Sequence, residues 1–95
     1  MNMKDVLTVK FFTVDRHIPD LECDSVRLPV SNSIKGDFSG SYGIKKGHAK
    51  AVFSLKAGKI ILTSNEKTVF EADISDGFAM VENNEVCITV DSVNE

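Results

Sequence analysis

Gly40-Ser41-Tyr42-Gly43-Ile44-Lys45-Lys46-Gly47-His48-Ala49-Lys50 sets three glycines into a chain otherwise rich in alternating apolar residues. Glycine enters positive φ at little cost and lets two backbones approach closely. A flexible linker would favour serine and repeated polar residues instead. The run is therefore read as a turning loop of fixed shape, with room for a short strand around Ser41–Ile44. Directly after it, Ala49, Ala51, Phe53 and Leu55 recur at period two, the spacing of a strand with one buried face.

The same alternation extends in both directions. Leu7, Val9 and Phe11 alternate with Thr8, Lys10 and Phe12, which predicts a strand over residues 6–14. Ile18, Leu21 and Cys23 suggest a short strand that Pro19 confines to an edge or bulge. Val26, Leu28 and Val30 give a third, and residues 31–39 are loop by composition. Beyond the glycine run, strands are predicted at Lys50–Leu55, Lys59–Thr63, Thr68–Ile74, Phe78–Glu82 and Glu85–Val90. Turns are expected at Lys56-Ala57-Gly58, at Ser64–Lys67, at Asp76-Gly77 and at Asn83-Asn84. In the last strand Val86, Ile88 and Val90 share one face, and Cys87 and Thr89 the other. No segment carries helical apolar spacing over ten residues, and strands this short and regular indicate an all-β sandwich or small barrel.

At 95 residues the chain is expected to form a single domain, residues 1–95. The longest unbroken aliphatic run, Ile60-Ile61-Leu62, is far too short to span a bilayer. The first residues lack the apolar core of a signal peptide, so a cytoplasmic location is expected. Cys23 and Cys87 are too few for a disulfide scaffold and read as reduced, partly buried thiols.

The net charge of −3 argues against a general nucleic-acid binder, but the charge is uneven. Residues 35–59 hold six lysines against Asp37 alone, and the residues after Lys59 hold eight carboxylates against Lys67 alone. That distribution suggests either ordinary solvated strand faces or a bipolar surface that orients docking.

Several motifs carry a resemblance. Gly40-Ser41-Tyr42-Gly43-Ile44 with Gly47-His48-Ala49 resembles the signature loop of the epsilon subunit of F-type ATP synthase, Gly-acid-apolar-Gly-apolar-x-Pro-Gly-His-Ala-Pro. Asp24–Pro29 resembles that family's acid-x-apolar-x-apolar-Pro strand. Leu55–Gly58 resembles its Leu-Lys-Pro-Gly, Gly77-Phe78 its Ser-Gly-Gly-Phe, and Asn84–Asp91 its last strand. The motifs keep family order from about Leu7 to Asp91. The resemblance implies a ten-stranded β-sandwich of the epsilon N-terminal type. It also implies a non-catalytic rotor-stalk subunit linking the gamma subunit to the c-ring in proton-driven ATP synthesis. No cofactor, metal or nucleic acid is implied, and the complex lies against the inner face of the cell membrane without insertion of this chain.

The interface expected from the resemblance comprises Thr13, Ser41, Tyr42, Gly43, Ile44, Gly47 and His48, with Asp37 as an addition. Four departures from the family pattern bear on it. The helical hairpin that follows the sandwich in the family has no counterpart in these 95 residues. Residues 31–39 make a longer loop than usual. Lys46 and Lys50 stand where the family favours prolines, which makes the loop more basic and less stiff. Ser41 replaces an acid that lies near the c-ring in relatives, a role open to Asp37.

Other chemistries read poorly. His48 and His17 are the only histidines, so a Ser41–His48 hydrolase site would need a triad geometry that sequence does not show. His17, Asp20, Cys23 and Asp24 match no metal-site spacing. The glycine run lacks the phosphate-loop form and a following helix. Two readings of His48 stay open, a side chain capping a turn carbonyl or one projecting towards gamma. A binding module of the same fold serving another partner is the alternative function.

Overall fold

The computed structural model describes residues 6–14, 16–31 and 41–95. Alternation decides the strands. In β1 (Leu7–Phe12), Leu7, Val9 and Phe11 are buried while Phe12 is exposed. β2 (Leu21–Cys23) is short and lies at a sheet edge, and Pro19 falls just before it rather than within it. β3 (Ser25–Pro29) buries Val26 and Leu28, and β4 (Ser41–Lys45) buries Ile44. Then follow β5 (Ala51–Leu55), β6 (Gly58–Ser64), β7 (Lys67–Ile74), β8 (Gly77–Glu82), β9 (Glu85–Val90) and β10 (Val93–Asn94). No helix occurs among the described residues.

The strands form two five-stranded sheets, ordered β2-β1-β9-β8-β5 and β10-β7-β6-β3-β4. β1 runs parallel to β9, and the other pairings among the described residues are antiparallel. The inner faces meet in one core. Leu7, Val9, Val81 and Ile88 from the first sheet pack with Leu28, Ile44, Ile60 and Leu62 from the second, all at 0% exposure. The sheets are joined where β3 ends. Val30 bridges Leu55, the Ser31 amide donates to the Ser54 carbonyl at 2.9 Å, and the Lys56 amide donates to the Pro29 carbonyl at 2.9 Å.

Two hairpins are two-residue turns with both central residues at positive φ. These are Asn65 (52°) with Glu66 (65°), and Asn83 (53°) with Asn84 (61°). This is the type I′ geometry whose twist matches that of paired strands. Asp24 steadies the first by accepting the Asn65 amide at 2.8 Å.

Two expected turn glycines have another role. Gly58 and Gly77 open β6 and β8, with Gly58 paired to Ile74 and Gly77 to both Val90 and Leu55. A Cβ at Gly77 would lie 2.0 Å from the Thr89 carbonyl oxygen, so this glycine permits backbone contact rather than reversal. β10 is too short, at two residues, to show alternation in the sequence; Val93 is nonetheless buried and paired with Ile74.

The sequence blocks of opposite charge do not stay apart. Antiparallel pairing sets Lys59 3.4 Å from Glu71 and 3.8 Å from Asp73, and Lys50 lies 3.8 Å from Glu82. Such solvent-exposed pairs stabilise little. They do interleave the charge that the linear sequence separates.

Both cysteines are free thiols. Cys23 is fully buried, and burial pushes its thiol pKa from 9.0 up to about 11, with Asp24 adding to the rise. A raised thiol pKa favours the folded state while the unfolded thiol keeps its proton. That contribution is complete below pH 9 and is lost as pH rises through 11. We expect the unfolding free energy to fall by about 2–3 kcal/mol across that window. Cys23→Ala removes this part of the slope. Urea titrations of both proteins from pH 8 to 11 check it, and identical slopes would refute the assignment.

Candidate functional site

The glycine run becomes an edge strand followed by a tight turn. β4 pairs only with β3 and leaves its other edge open among the described sheet strands. Gly47, at φ +83°, is the turn glycine of the run, and the His48 amide closes the turn on the Lys45 carbonyl at 3.2 Å. Positive φ at the third of four residues is the type II arrangement, which demands glycine. The Gly47 amide donates to Asn84 Oδ1 at 2.8 Å, fastening the turn to the β8–β9 hairpin. Gly43 is different. It lies within the strand, outside the positive-φ region, and a Cβ there would meet nothing within 4 Å.

The side chains around the turn form an aromatic corner. The Tyr42 and Phe53 rings lie 4.8 Å apart between centroids, and His48 stands edge-on to Tyr42 at 5.8 Å. His48 Nδ1 is 2.7 Å from the Ala49 carbonyl, which only accepts, so Nδ1 carries the proton. In the neutral ring Nε2 therefore accepts from the Tyr42 hydroxyl, 3.0 Å away. Both imidazole nitrogens are engaged, and the ring is part-buried against Phe53. The carbonyl-capping reading of His48 matches this geometry. Ser41 points to the opposite face, where its hydroxyl accepts from Arg27 Nη1 at 3.1 Å. Ser41 and His48 thus use their hydrogen bonds on other partners, and nothing here resembles a nucleophile and its base.

Of the expected site residues, Ser41, Tyr42, Gly43, Gly47 and His48 cluster on this edge and turn, and all but the part-buried His48 are exposed. Ile44 corrects an expectation. Its side chain is fully buried because strand alternation turns it inward, so it anchors β4 and is not a surface contact. Thr13 stands apart. It follows β1 and donates its hydroxyl to the Asp91 carbonyl at 2.8 Å, beyond the end of β9, whereas Gly47 is tied to Asn84 just before β9 begins. The two ends of that strand are about 20 Å apart. Asp37 lies outside the described residues.

Sequence reasoning missed Phe53, Asn84 and Arg27 as builders of this corner. Phe53 reads as an ordinary core-face residue and Asn84 as a hairpin turn, and their contacts with the run arise only when the sheets come together. Among the described residues, no group of three or more His, Cys, Asp or Glu side chains is placed to hold a metal ion.

Comparison with known proteins follows the fold. A chain of the Euglena gracilis mitochondrial ATP synthase superposes with a TM-score of 0.76 at 20% identity, covering 98% of this chain and 55% of that one. A chain from the central stalk and c-ring of the Tetrahymena thermophila mitochondrial ATP synthase gives 0.72 at 11% identity, covering 100% and 69%. At such identities these matches establish shared fold. Closer in sequence are the ATP synthase epsilon chains of Nostoc sp., 33% identical over 85 residues, and Cyanothece sp., 34% identical over 86 residues. They cover 88% and 90% of this chain, which itself spans only 57% and 56% of theirs. A family model described as the β-sandwich domain of the ATP synthase delta/epsilon chain matches residues 6–95. This chain, matched over nearly its whole length and folded as the described sandwich, belongs to the ATP synthase delta/epsilon chain β-sandwich family.

Proposed function

We propose that this chain serves as the sandwich module of a rotor-stalk subunit, seated between the gamma subunit and the c-ring of an F-type ATP synthase. The family match over residues 6–95 carries the reading. The geometry agrees with a mechanical part. Two sheets share one core, their strands are joined at Val30 and Leu55, and the exposed corner is fixed by hydrogen bonds rather than left loose. A rigid body of this kind transmits force through surface complementarity and makes no chemical step of its own. The chain is peripheral to the membrane in this reading. No helix among the described residues is long and apolar enough to cross one.

The contact surface is taken to centre on Ser41, Tyr42, Gly43, Gly47 and His48. Size-exclusion chromatography of the chain mixed with its cognate gamma subunit tests this at about 10 μM. Co-elution is expected, and Tyr42→Ala with His48→Ala should weaken it about tenfold, as loss of an aromatic anchor does. Absence of a complex, with both proteins folded, would overturn the reading.

A further inference from the structure

We propose that the bare backbone at Gly43, on the outer face of the β10-β7-β6-β3-β4 sheet, is a binding site for a single phosphate group. Among the four described glycines, Gly43 alone has neither a positive φ nor a close neighbour at its Cβ position. Glycine weakens a strand interior, and it often marks a point where a ligand comes close to the backbone. Register sets what surrounds it. Arg27 lies directly opposite Gly43, Ser25 opposite Lys45, and Pro29 opposite Ser41. Alternation puts Ser41, Gly43 and Lys45 on one face with Arg27, away from the buried Ile44 and Val26. Ser41 and Lys45 are thus the diagonal neighbours of Arg27, about 7 Å away, with only the glycine between them.

The donors there have no anionic partner among the described residues. Ion pairs engage Lys10, Arg16, Lys50 and Lys59, but not Arg27, Lys45 or Lys46. Arg27 Nη1 donates to Ser41 Oγ at 3.1 Å, which leaves the serine hydroxyl its own proton to donate outward. Farther along the same face, Lys59 lies 3.4 Å from Glu71 and 3.8 Å from Asp73, so that half is neutralised. Beside Lys45, an opening of about 480 Å³ is lined by Lys46, Asp24 and Glu66 as well. Asp24 is engaged by the Asn65 amide, and Lys46 offsets Glu66. The surplus at Arg27 and Lys45 is therefore positive. A guanidinium, an ammonium and a hydroxyl approach the bare patch from three sides. A tetrahedral oxyanion offers an oxygen to each, whereas a planar carboxylate offers two. Tyr42 alternates to the other side of β4, so the aromatic corner is no part of this site.

The proposal does not rest on the rotor-stalk reading, and the chain alone tests it. Inorganic phosphate is titrated into the labelled chain at constant ionic strength and followed by amide NMR, with chloride as the matched control. Shifts should saturate at Gly43 and its neighbours in β3 and β4, with a Kd on the order of 1 mM. Gly43→Val keeps every charge, suits a strand and fills only open space, and should weaken binding at least about tenfold. Arg27→Gln should weaken it by a similar factor. Cosedimentation with phosphatidylcholine vesicles containing phosphatidylglycerol separates two sources of the phosphate. Retention that Gly43→Val abolishes assigns a lipid headgroup, and phosphate binding without retention assigns the free ion. Shifts that match those of chloride, or equal affinity in Gly43→Val, overturn the proposal. So does unchanged binding in Arg27→Gln, whether or not the valine variant folds.

Discussion

Gly77→Ala should destabilise the sandwich by about 3 kcal/mol, lowering the melting temperature by about 15 °C for a domain of this size. The new Cβ would sit 2.0 Å from the Thr89 carbonyl oxygen and 2.9 Å from Val90 Cγ1. The oxygen is backbone, and Thr89 and Val90 belong to β9, the strand with which Gly77 pairs. No side-chain rotation relieves the clash, so β8 and β9 must separate locally or bend. Gly58→Ala meets mainly a side chain, Pro29 Cβ at 2.9 Å, and should cost less, about 1–2 kcal/mol. Gly43→Ala meets nothing within 4 Å and should leave stability unchanged or raise it by about 0.5 kcal/mol. Urea denaturation of the three variants gives the ranking. Equal midpoints for Gly77→Ala and Gly43→Ala would contradict the close-contact account.

These glycines also measure what the sequence makes legible. Alternation reports burial: Leu7, Val9, Phe11, Val26, Leu28, Val86 and Ile88 recur at period two in the sequence, and all are buried. Turn chemistry likewise marked the two hairpins, where asparagine tolerates positive φ. Composition does not report why a glycine is present. Gly47 serves a turn, Gly77 a close contact and Gly43 neither, yet all three look alike in the chain. Only the partner strand distinguishes them, and strand order is a non-local property. β1 pairs in parallel with β9 across most of the sequence, a choice that no local pattern announces.

The candidate site divides along the same line. Tyr42 and His48 could be singled out because they lie in one motif. Their support by Phe53 and Asn84 depends on β4 and β5 being edge strands of different sheets that meet at a corner. The exposed apolar side chains on the outer face of the first sheet are harder still to see. Phe12, Val52, Phe78 and Met80 fall at the outward positions of three separate strands, and nothing within one strand shows that they converge. Ile44 failed in the opposite direction. It lies in the same motif as the exposed residues beside it, although its alternation with Gly43 and Lys45 already points inward.

That burial gives the other large effect. Ile44→Ala should destabilise the protein by about 3 kcal/mol, the usual loss when a buried isoleucine leaves a cavity. Ile44 pairs with Val26, which pairs in turn with Leu62, and all three are fully buried. The row crosses the sheet towards its open edge, and Ile44 is its last member. Elsewhere in β4 the described side chains are exposed, so little else fixes the strand to the core. The loss should therefore appear twice. Urea denaturation gives the global decrease, while amide exchange speeds up more in Ser41–Lys45 than in β6 or β7. Tyr42→Phe provides the contrast. It deletes the hydroxyl bonded to His48 but keeps the ring on Phe53, and should cost no more than about 1 kcal/mol. If Ile44→Ala proved as mild as Tyr42→Phe, β4 would be held by its hydrogen bonds to β3 alone. The aromatic corner would then rest on its ties to Phe53 and Asn84 and not on the core beneath it.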